Sequence, residues 1–340
     1  MTTTDEADVD RRDPQSSPVA MSAARRSERI RKPRGAAHVL ILAGGDGARL
    51  RSVTRVLAGD DRPKQFCSLV GSEPLLVQTQ RRAALIAPPE RTLILLTRHH
   101  EAYYRSLVSA INPASLVIQP ANRGTAAAVL YGLLRIAVRT PRTAVVIMPS
   151  DHWVSDESAF ATHVRSAVGV VEAYENVVVL LGTVPTRPEP EYGWIEPAEP
   201  VVRGWRDLHR VSRFVEKPEP PLAAELYRDG TAFWNTSVVV GQVEELLYLF
   251  AVANPDLVDA FLGIWTALDT PAERGAAELL YAGLPSSDFS RDILAARPEA
   301  LAVLAIHGVL WEDLGHPSRI REARRLQQAL PPPRGMPAAG

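Results

Sequence analysis

The chain has 340 residues, is 46% hydrophobic and carries a formal net charge of −1 at pH 7. It is long and apolar enough to bury a substantial core as one large or two small domains. Cys67 is the only cysteine, which excludes an internal disulfide, and no apolar run approaches the roughly 20 residues needed to cross a bilayer. The N-terminus lacks the charged-then-apolar layout of an export signal, so a cytoplasmic protein without membrane contact is expected.

Residues 1–36 carry acidic groups, then Arg25, Arg26, Arg29, Arg31, Lys32 and Arg34, with almost no large apolar side chains. This composition predicts a disordered, solvated basic tail. Nucleic-acid binding is not expected, because the remainder shows no aromatic platforms or basic face to support it. A folded domain is expected over 37–325 and a short tail over 326–340, with the nucleotide-binding half of the domain preceding the half that takes the second substrate.

The apolar strand 39–42 runs straight into Ala43-Gly44-Gly45-Asp46-Gly47-Ala48-Arg49-Leu50. Glycines at 44, 45 and 47 leave backbone N–H groups free to form an anion-binding nest, and Arg49 and Lys64 add the charge that bare backbone lacks. Arginine forks onto phosphate oxygens, whereas lysine acts as a point charge. A P-loop would need Lys and then Ser or Thr after the last glycine, but Ala48 and Arg49 follow. The dinucleotide fingerprint would need a glycine where Leu50 stands. Cys67, beside Phe66, reads as a packed thiol rather than a nucleophile.

Downstream, helices are predicted over 75–87, 126–138, 160–174 and 222–228, and strands over 92–97, 144–148 and 177–181. The alternation predicts an α/β fold with a doubly wound, mostly parallel sheet. Ligands bind beyond the carboxyl ends of such strands, where the Gly44 loop and the Ser150-Asp151 turn both lie. Gln119 offers amide donors and an acceptor, and Gly124 permits close backbone approach. Thr125 suits either a ligand contact or a cap on the helix that follows. Asp151 and Asp313 are each readable as turn caps or as metal ligands.

Residues 43–55 followed by Pro63-Lys64-Gln65-Phe66 resemble the sugar-phosphate nucleotidyltransferase family, and the Pro63–Phe66 form is most similar to its mannose-1-phosphate guanylyltransferases. Pro149-Ser150-Asp151-His152, Gln119-Pro120 before Asn122–Ala126, Glu191–Ile195, Phe214–Pro218, Trp234-Asn235-Thr236 and Trp311–Gly315 are similar to further motifs in family order. The resemblance covers roughly residues 37–324. It implies a Rossmann-like, GT-A-like fold with a small C-terminal extension. The implied activity transfers a nucleoside monophosphate, from GTP, to mannose 1-phosphate.

By the same resemblance, Arg49, Lys64, Asp151 and Asp313 are the catalytic set, with Mg²⁺ on Asp151 and Asp313. Ala43, Gly44, Gly45, Gly47, Gln119, Gly124 and Thr125 take the nucleotide. Gly193, Glu216, Lys217 and Asn235 take the sugar phosphate, with Trp194 and Trp234 in the pocket wall. The chemistry needs no protein nucleophile. A phosphate monoester, with a second pKa of about 6, is largely dianionic at neutral pH. Positioning and charge neutralisation therefore carry the reaction, and Mg²⁺ suits one or two carboxylates plus substrate phosphate.

Some positions depart from the pattern. Ala48 replaces the usual Thr, Arg51-Ser52-Val53 replaces Trp-Pro-Leu, residues 56–62 form a longer connection, and Thr236-Ser237 replaces a frequent Ser-Gly. A different nucleotide or sugar phosphate is thus a competing reading, as is a non-catalytic regulatory relative. The latter predicts loss of a charged site residue, yet Arg49, Lys64, Asp151, Lys217 and Asp313 are all present. Nothing after Arg324 leaves room for a second catalytic domain, so a single activity is expected. The sequence permits a homo-oligomer without a pattern that calls for one.

Overall fold

The computed structural model describes residues 37–201, 205 and 207–329. The expected basic tail lies outside the described residues, as does most of the expected C-terminal tail. Strand β1 (His38–Leu42) shows why the apolar runs read clearly. Val39 and Ile41 enter one core layer and Leu40 the other. Side chains alternate across a strand, so a sheet covered on both faces needs apolar residues at successive positions.

The order continues α1 (Arg51–Ala58), α2 (Leu75–Ala84), β2 (Thr92–Thr97), α3 (Glu101–Tyr104), β3 (Leu116–Gln119), α4 (Gly124–Arg139), β4 (Ala144–Pro149), β5 (Trp153–Val154) and α5 (Glu157–Ala173). It closes with β6 (Val178–Thr183), β7 (Gly193–Pro200), β8 (Leu208–Glu216), α6 (Pro220–Asp229), β9 (Phe233–Gln242), α7 (Val243–Ala253), α8 (Pro255–Leu262), α9 (Glu273–Gly283), β10 (Leu301–Ile306), β11 (Trp311–Glu312) and α10 (Pro317–Ala329). A nine-stranded sheet runs β3-β2-β1-β4-β9-β6-β10-β8-β7.

The expected parallel sheet is its first half, β3-β2-β1-β4. Beyond it the sheet is mixed: β9 lies antiparallel between β4 and β6, β10 is parallel to β6, and β7 and β8 are antiparallel. β8 buries Leu208, Val211 and Phe214 while Arg210, Ser212 and Arg213 stay exposed, so one side of this antiparallel strand is wet.

One core layer joins β-sheet residues to α4, α7, α8 and α9 through Leu133, Phe250, Phe261 and Tyr281. The other packs Phe66, Phe160, Val164 and Trp194 beneath α2 and α5. A third cluster, with Leu50, Leu69, Leu75, Trp153, Leu314 and Ile320, fastens α10 to the segment after β1. The C-terminal helix is therefore part of the packed body rather than an extension, and it runs to Ala329, past the expected boundary at 325. Its apolar residues Ile320 and Ala323 are buried, which anchors it.

Two features of this topology bring distant residues together. The parallel strands β1, β2, β3 and β4 deliver the Gly44 loop, Thr97, Gln119 and Asp151 to their common carboxyl end. The short antiparallel pair β5–β11 sets Glu312 opposite Trp153, which carries Asp313 to the Asp151 turn.

Candidate active site

The glycine-rich loop is shaped from beneath. Gln65 Nε2 donates to the carbonyls of Ala43 at 3.1 Å and Gly45 at 2.7 Å. Thr97 Oγ1 donates to Gly44 O at 2.9 Å. A Cβ on Gly44 would stand 2.7 Å from Thr97 Oγ1 and 2.8 Å from Gln119 Nε2, so this loop lies directly on the ends of β2 and β3. Gly47 has φ of 58°, in the left-handed region where a side chain is strained, and turns the chain into the helical run carrying Arg49. Gln119 is buried, and its Oε1 accepts from Tyr281 OH at 3.2 Å, which orients the amide.

Lys64 ties the two aspartates into one cluster. Its buried ammonium lies 3.3 Å from Asp151 Oδ2 and donates to the Asp313 backbone carbonyl. An ammonium has three N–H donors, so one is left for a ligand. The Asp151 turn is fixed by Ser150, whose Oγ donates to Leu42 O at 2.7 Å. Burial pushes neighbouring His152 down, toward its neutral form.

Asp313 is the more enclosed carboxylate. Its Oδ1 accepts from Arg319 NH1 at 2.7 Å and from Gly315 N at 2.7 Å, with Tyr192 OH at 3.3 Å. Burial alone would raise its pKa, but Lys64 and Arg319 prevail and hold it at about 2. Arg319 also reaches Glu189 at 2.8 Å and Glu191 at 2.7 Å, and its guanidinium lies over the Tyr192 ring. Arg49 pairs with Glu191 at 3.4 Å while remaining half exposed. Adjacent Glu312 shares Tyr192 OH, at 2.6 Å, but pairs with Arg187 at 2.8 Å where Asp313 pairs with Arg319.

The residues expected to meet the sugar phosphate form a second cluster. Gly193 pairs with Glu216 across β7–β8, and a Cβ on it would stand 2.8 Å from Glu216 Oε2 and 3.2 Å from Asn235 Cβ. Burial raises the Glu216 pKa, with Lys217 opposing at 3.2 Å. Lys217 extends into solvent from a backbone with φ of 49°. Asn235 accepts from Ser237 N at 3.0 Å, and Ser237 itself has φ of 59°, in the left-handed region that favours the glycine of the family pattern. Tyr192 joins the clusters: its carbonyl accepts from Lys217 N, and its hydroxyl faces Glu312 and Asp313. Trp194 and Trp234 are both buried and pack edge to face, so they support this wall from within the core.

Two expectations change at the start of α4. Gly124 was expected to leave space for a base, but a Cβ there would stand 2.2 Å from Ser287 O, so the close approach is made by the chain itself. Thr125 does not cap its own helix. It accepts from Phe289 N at 2.8 Å and donates to Asp288 Oδ2 at 3.2 Å, clamping the π-helical turn Phe289–Leu294 over this end of the fold.

Sequence reasoning passed over Thr97, Tyr192, Arg187, Arg319 and Asp288. Only Tyr192 had a usable signal, its place within the Glu191–Ile195 motif. Neither of the two largest-volume cavities described is lined by the glycine-rich loop, Lys64, Asp151 or Asp313. One cavity of about 490 Å³ lies beside the Asp313 network, against Arg187, Glu191, Glu312 and Arg319. Another of about 570 Å³, lined by Arg98, Tyr104, Tyr131 and Glu273 among others, contains none of them. Convergence of charged side chains defines the site instead.

Residues 38–329 match the family model for nucleotidyl transferase. The mannose-1-phosphate guanylyltransferase of Sinorhizobium fredii (strain NBRC 101917 / NGR234) is 30% identical over 287 residues, covering 81% of this chain and 52% of its own. Xanthan biosynthesis protein XanB of Xanthomonas campestris pv. campestris (strain B100) is 27% identical over 278 residues, covering 81% of this chain and 57% of its own. The chain thus spans a little over half the length of these curated relatives. The crystal structure of a mannose-1-phosphate geranyltransferase from Thermus thermophilus is similar with a TM-score of 0.70 at 32% identity, covering 82% of this chain and 76% of that one. No helix among the described residues is long and apolar enough to cross a membrane.

Proposed function

The chain belongs to the nucleotidyl transferase family, and from that premise we propose that it transfers GMP from GTP to mannose 1-phosphate, releasing pyrophosphate. The observation that carries the reading is Lys64, held between Asp151 and Asp313 beside the glycine-rich loop. A triphosphate needs cations and N–H donors, and the site offers Lys64 and Arg49 as cations and the loop N–H groups as neutral donors.

The sugar phosphate, already dianionic, needs no general base. Lys217 steers its phosphate toward the α-phosphorus, while Glu216 and Asn235 orient the sugar hydroxyls. The gain comes from alignment and from charges fixed in advance of the transition state. Asp151 and Asp313 are a hard oxygen donor pair that fits Mg²⁺. When bound there, the ion supplies neutralisation of phosphate charge. Arg319 and Lys64 keep Asp313 ionised for that purpose. The choice of GTP and mannose 1-phosphate is supported by relatives carrying that name. The proposed compartment is the cytoplasm.

The Ser237 backbone favours a second reading, another sugar phosphate on the same machinery, because a side chain now stands where the pattern has glycine. The test is pyrophosphate release with Mg²⁺ across a panel of nucleoside triphosphates and sugar 1-phosphates. Release with GTP and mannose 1-phosphate, lost in Asp151→Asn, is expected. Release with another pair moves the specificity, and no release from folded protein that binds a nucleotide favours a regulatory relative.

A further inference from the structure

Asp46, His99 and His100 have no part in the scheme above, yet they meet at the lip of the nucleotide loop. Asp46 stands between Gly45 and Gly47, and the two histidines end the 3₁₀ turn Arg98–His100 that follows β2. His99 Nε2 lies 2.9 Å and His100 Nε2 3.3 Å from the same Asp46 oxygen, Oδ1. One ligand atom from each residue falls within 4.8 Å of the others. With metal–ligand bonds of about 2.0–2.1 Å, tetrahedral ligand atoms stand about 3.3 Å apart, so this spacing already approximates a coordination sphere.

The donor set has its own chemistry. Two imidazoles and one carboxylate suit a borderline ion such as Zn²⁺, whereas Mg²⁺ takes oxygen ligands. Asp46 Oδ2 accepts from Asn122 Nδ2 at 2.9 Å, an outer hydrogen bond of the kind that fixes a ligating carboxylate. His99 and Asp46 are partly exposed, with side chains 52% and 38% accessible, so water can reach the cluster. His100 Nδ1 is buried without a hydrogen-bond partner, so Nε2 is the nitrogen this ring offers. An outer partner on a ligating histidine is worth about 10–100-fold in metal affinity, so its absence on His100 weakens the expected binding by about that factor.

We propose that Asp46, His99 and His100 form a binding site for a divalent transition metal of the Zn²⁺ class, separate from the Asp151–Asp313 pair, and that occupancy pins the glycine-rich loop to the end of β2. The bland alternative is one carboxylate oxygen shared by two imidazole hydrogen bonds, with no affinity for metal.

The test uses the tag-free, metal-stripped full chain, titrated calorimetrically with Zn²⁺ in millimolar Mg²⁺ and followed with Co²⁺ by visible absorption. One Zn²⁺ per chain is expected, with a cobalt spectrum typical of four-coordination. His99→Ala and Asp46→Asn should each weaken binding by at least about tenfold, while Asp151→Asn leaves it unchanged. Both altered side chains are partly exposed, and circular dichroism verifies their fold. Absence of binding in wild-type protein overturns the proposal, as does binding that is lost with Asp151→Asn and survives His99→Ala. None of these readouts depends on transferase activity.

Discussion

Replacing Arg319 with methionine isolates the charge that holds Asp313. The pair is separated by 2.7 Å between NH1 and Oδ1, and both side chains are nearly buried. At a charge separation of about 4 Å and an effective dielectric near 20, the attraction is about 4 kcal/mol. Holding the Asp313 carboxyl at about 2 rather than 3.8 corresponds to about 2.5 kcal/mol net, the stabilisation by its cationic and hydrogen-bonding partners less the opposing cost of burial. Lys64 and Gly315 N–H remain after the substitution, so the loss should fall near the low end of the range for breaking a buried pair, about 3 kcal/mol.

A double-mutant cycle separates the pair from general damage. Arg319→Met and Asp313→Asn are each destabilising, but the double variant should lose about 2 kcal/mol less than their sum. Urea unfolding near neutral pH, with unchanged m values, is the assay. The sign with pH follows from the depressed Asp313 pKa. Its contribution is full above about 3.8 and disappears as pH falls toward about 2. Additivity within about 0.5 kcal/mol would refute the claim that Arg319 acts through Asp313.

Other perturbations test the scaffold. Burial, aided by Arg91 and Arg139, lowers His38 from 6.5 to about 4. Its contribution is therefore present above about 6.5 and lost on acidification, about 2 kcal/mol between pH of about 7 and about 5. His38→Gln should flatten that part of the stability profile, and an unchanged profile would remove His38 as its source. Gly124→Ala combines φ of 84° with the Ser287 clash, and should cost about 3 kcal/mol in urea unfolding. A loss under about 1 kcal/mol would show that the Ser287 segment yields. Ser237→Gly relieves φ of 59° and should stabilise by about 0.5 kcal/mol in the same assay, whereas destabilisation would mean that the serine side chain is needed.

The parts of the fold readable in sequence share one cause. β1, β2, β4 and β6 are apolar at successive positions because both sheet faces are covered, and such runs need no knowledge of their neighbours. β7 and β8 were hidden because they mix polar residues among few buried ones without a regular period, carry Pro197 and Pro200 within β7, and pair irregularly. The glycine-rich loop was legible from its spacing, but the reason for Gly124 was not, since Ser287 approaches from far along the chain. Arg319 looks like Arg321, Arg324 and Arg325 in sequence, and only the inward face of α10 distinguishes it. Asp313 and Glu312 are likewise adjacent and similar, and only the folded chain gives them different arginines, Arg319 and Arg187.

The central claim, nucleotidyl transfer to a sugar phosphate, is tested most directly by ³¹P NMR of the full chain with GTP, mannose 1-phosphate and Mg²⁺. The account predicts resonances of a sugar-linked diphosphate and free pyrophosphate growing together, both absent with Asp151→Asn. Orthophosphate alone, or an unchanged spectrum from folded protein with this and every other nucleotide and sugar phosphate tried, would contradict it.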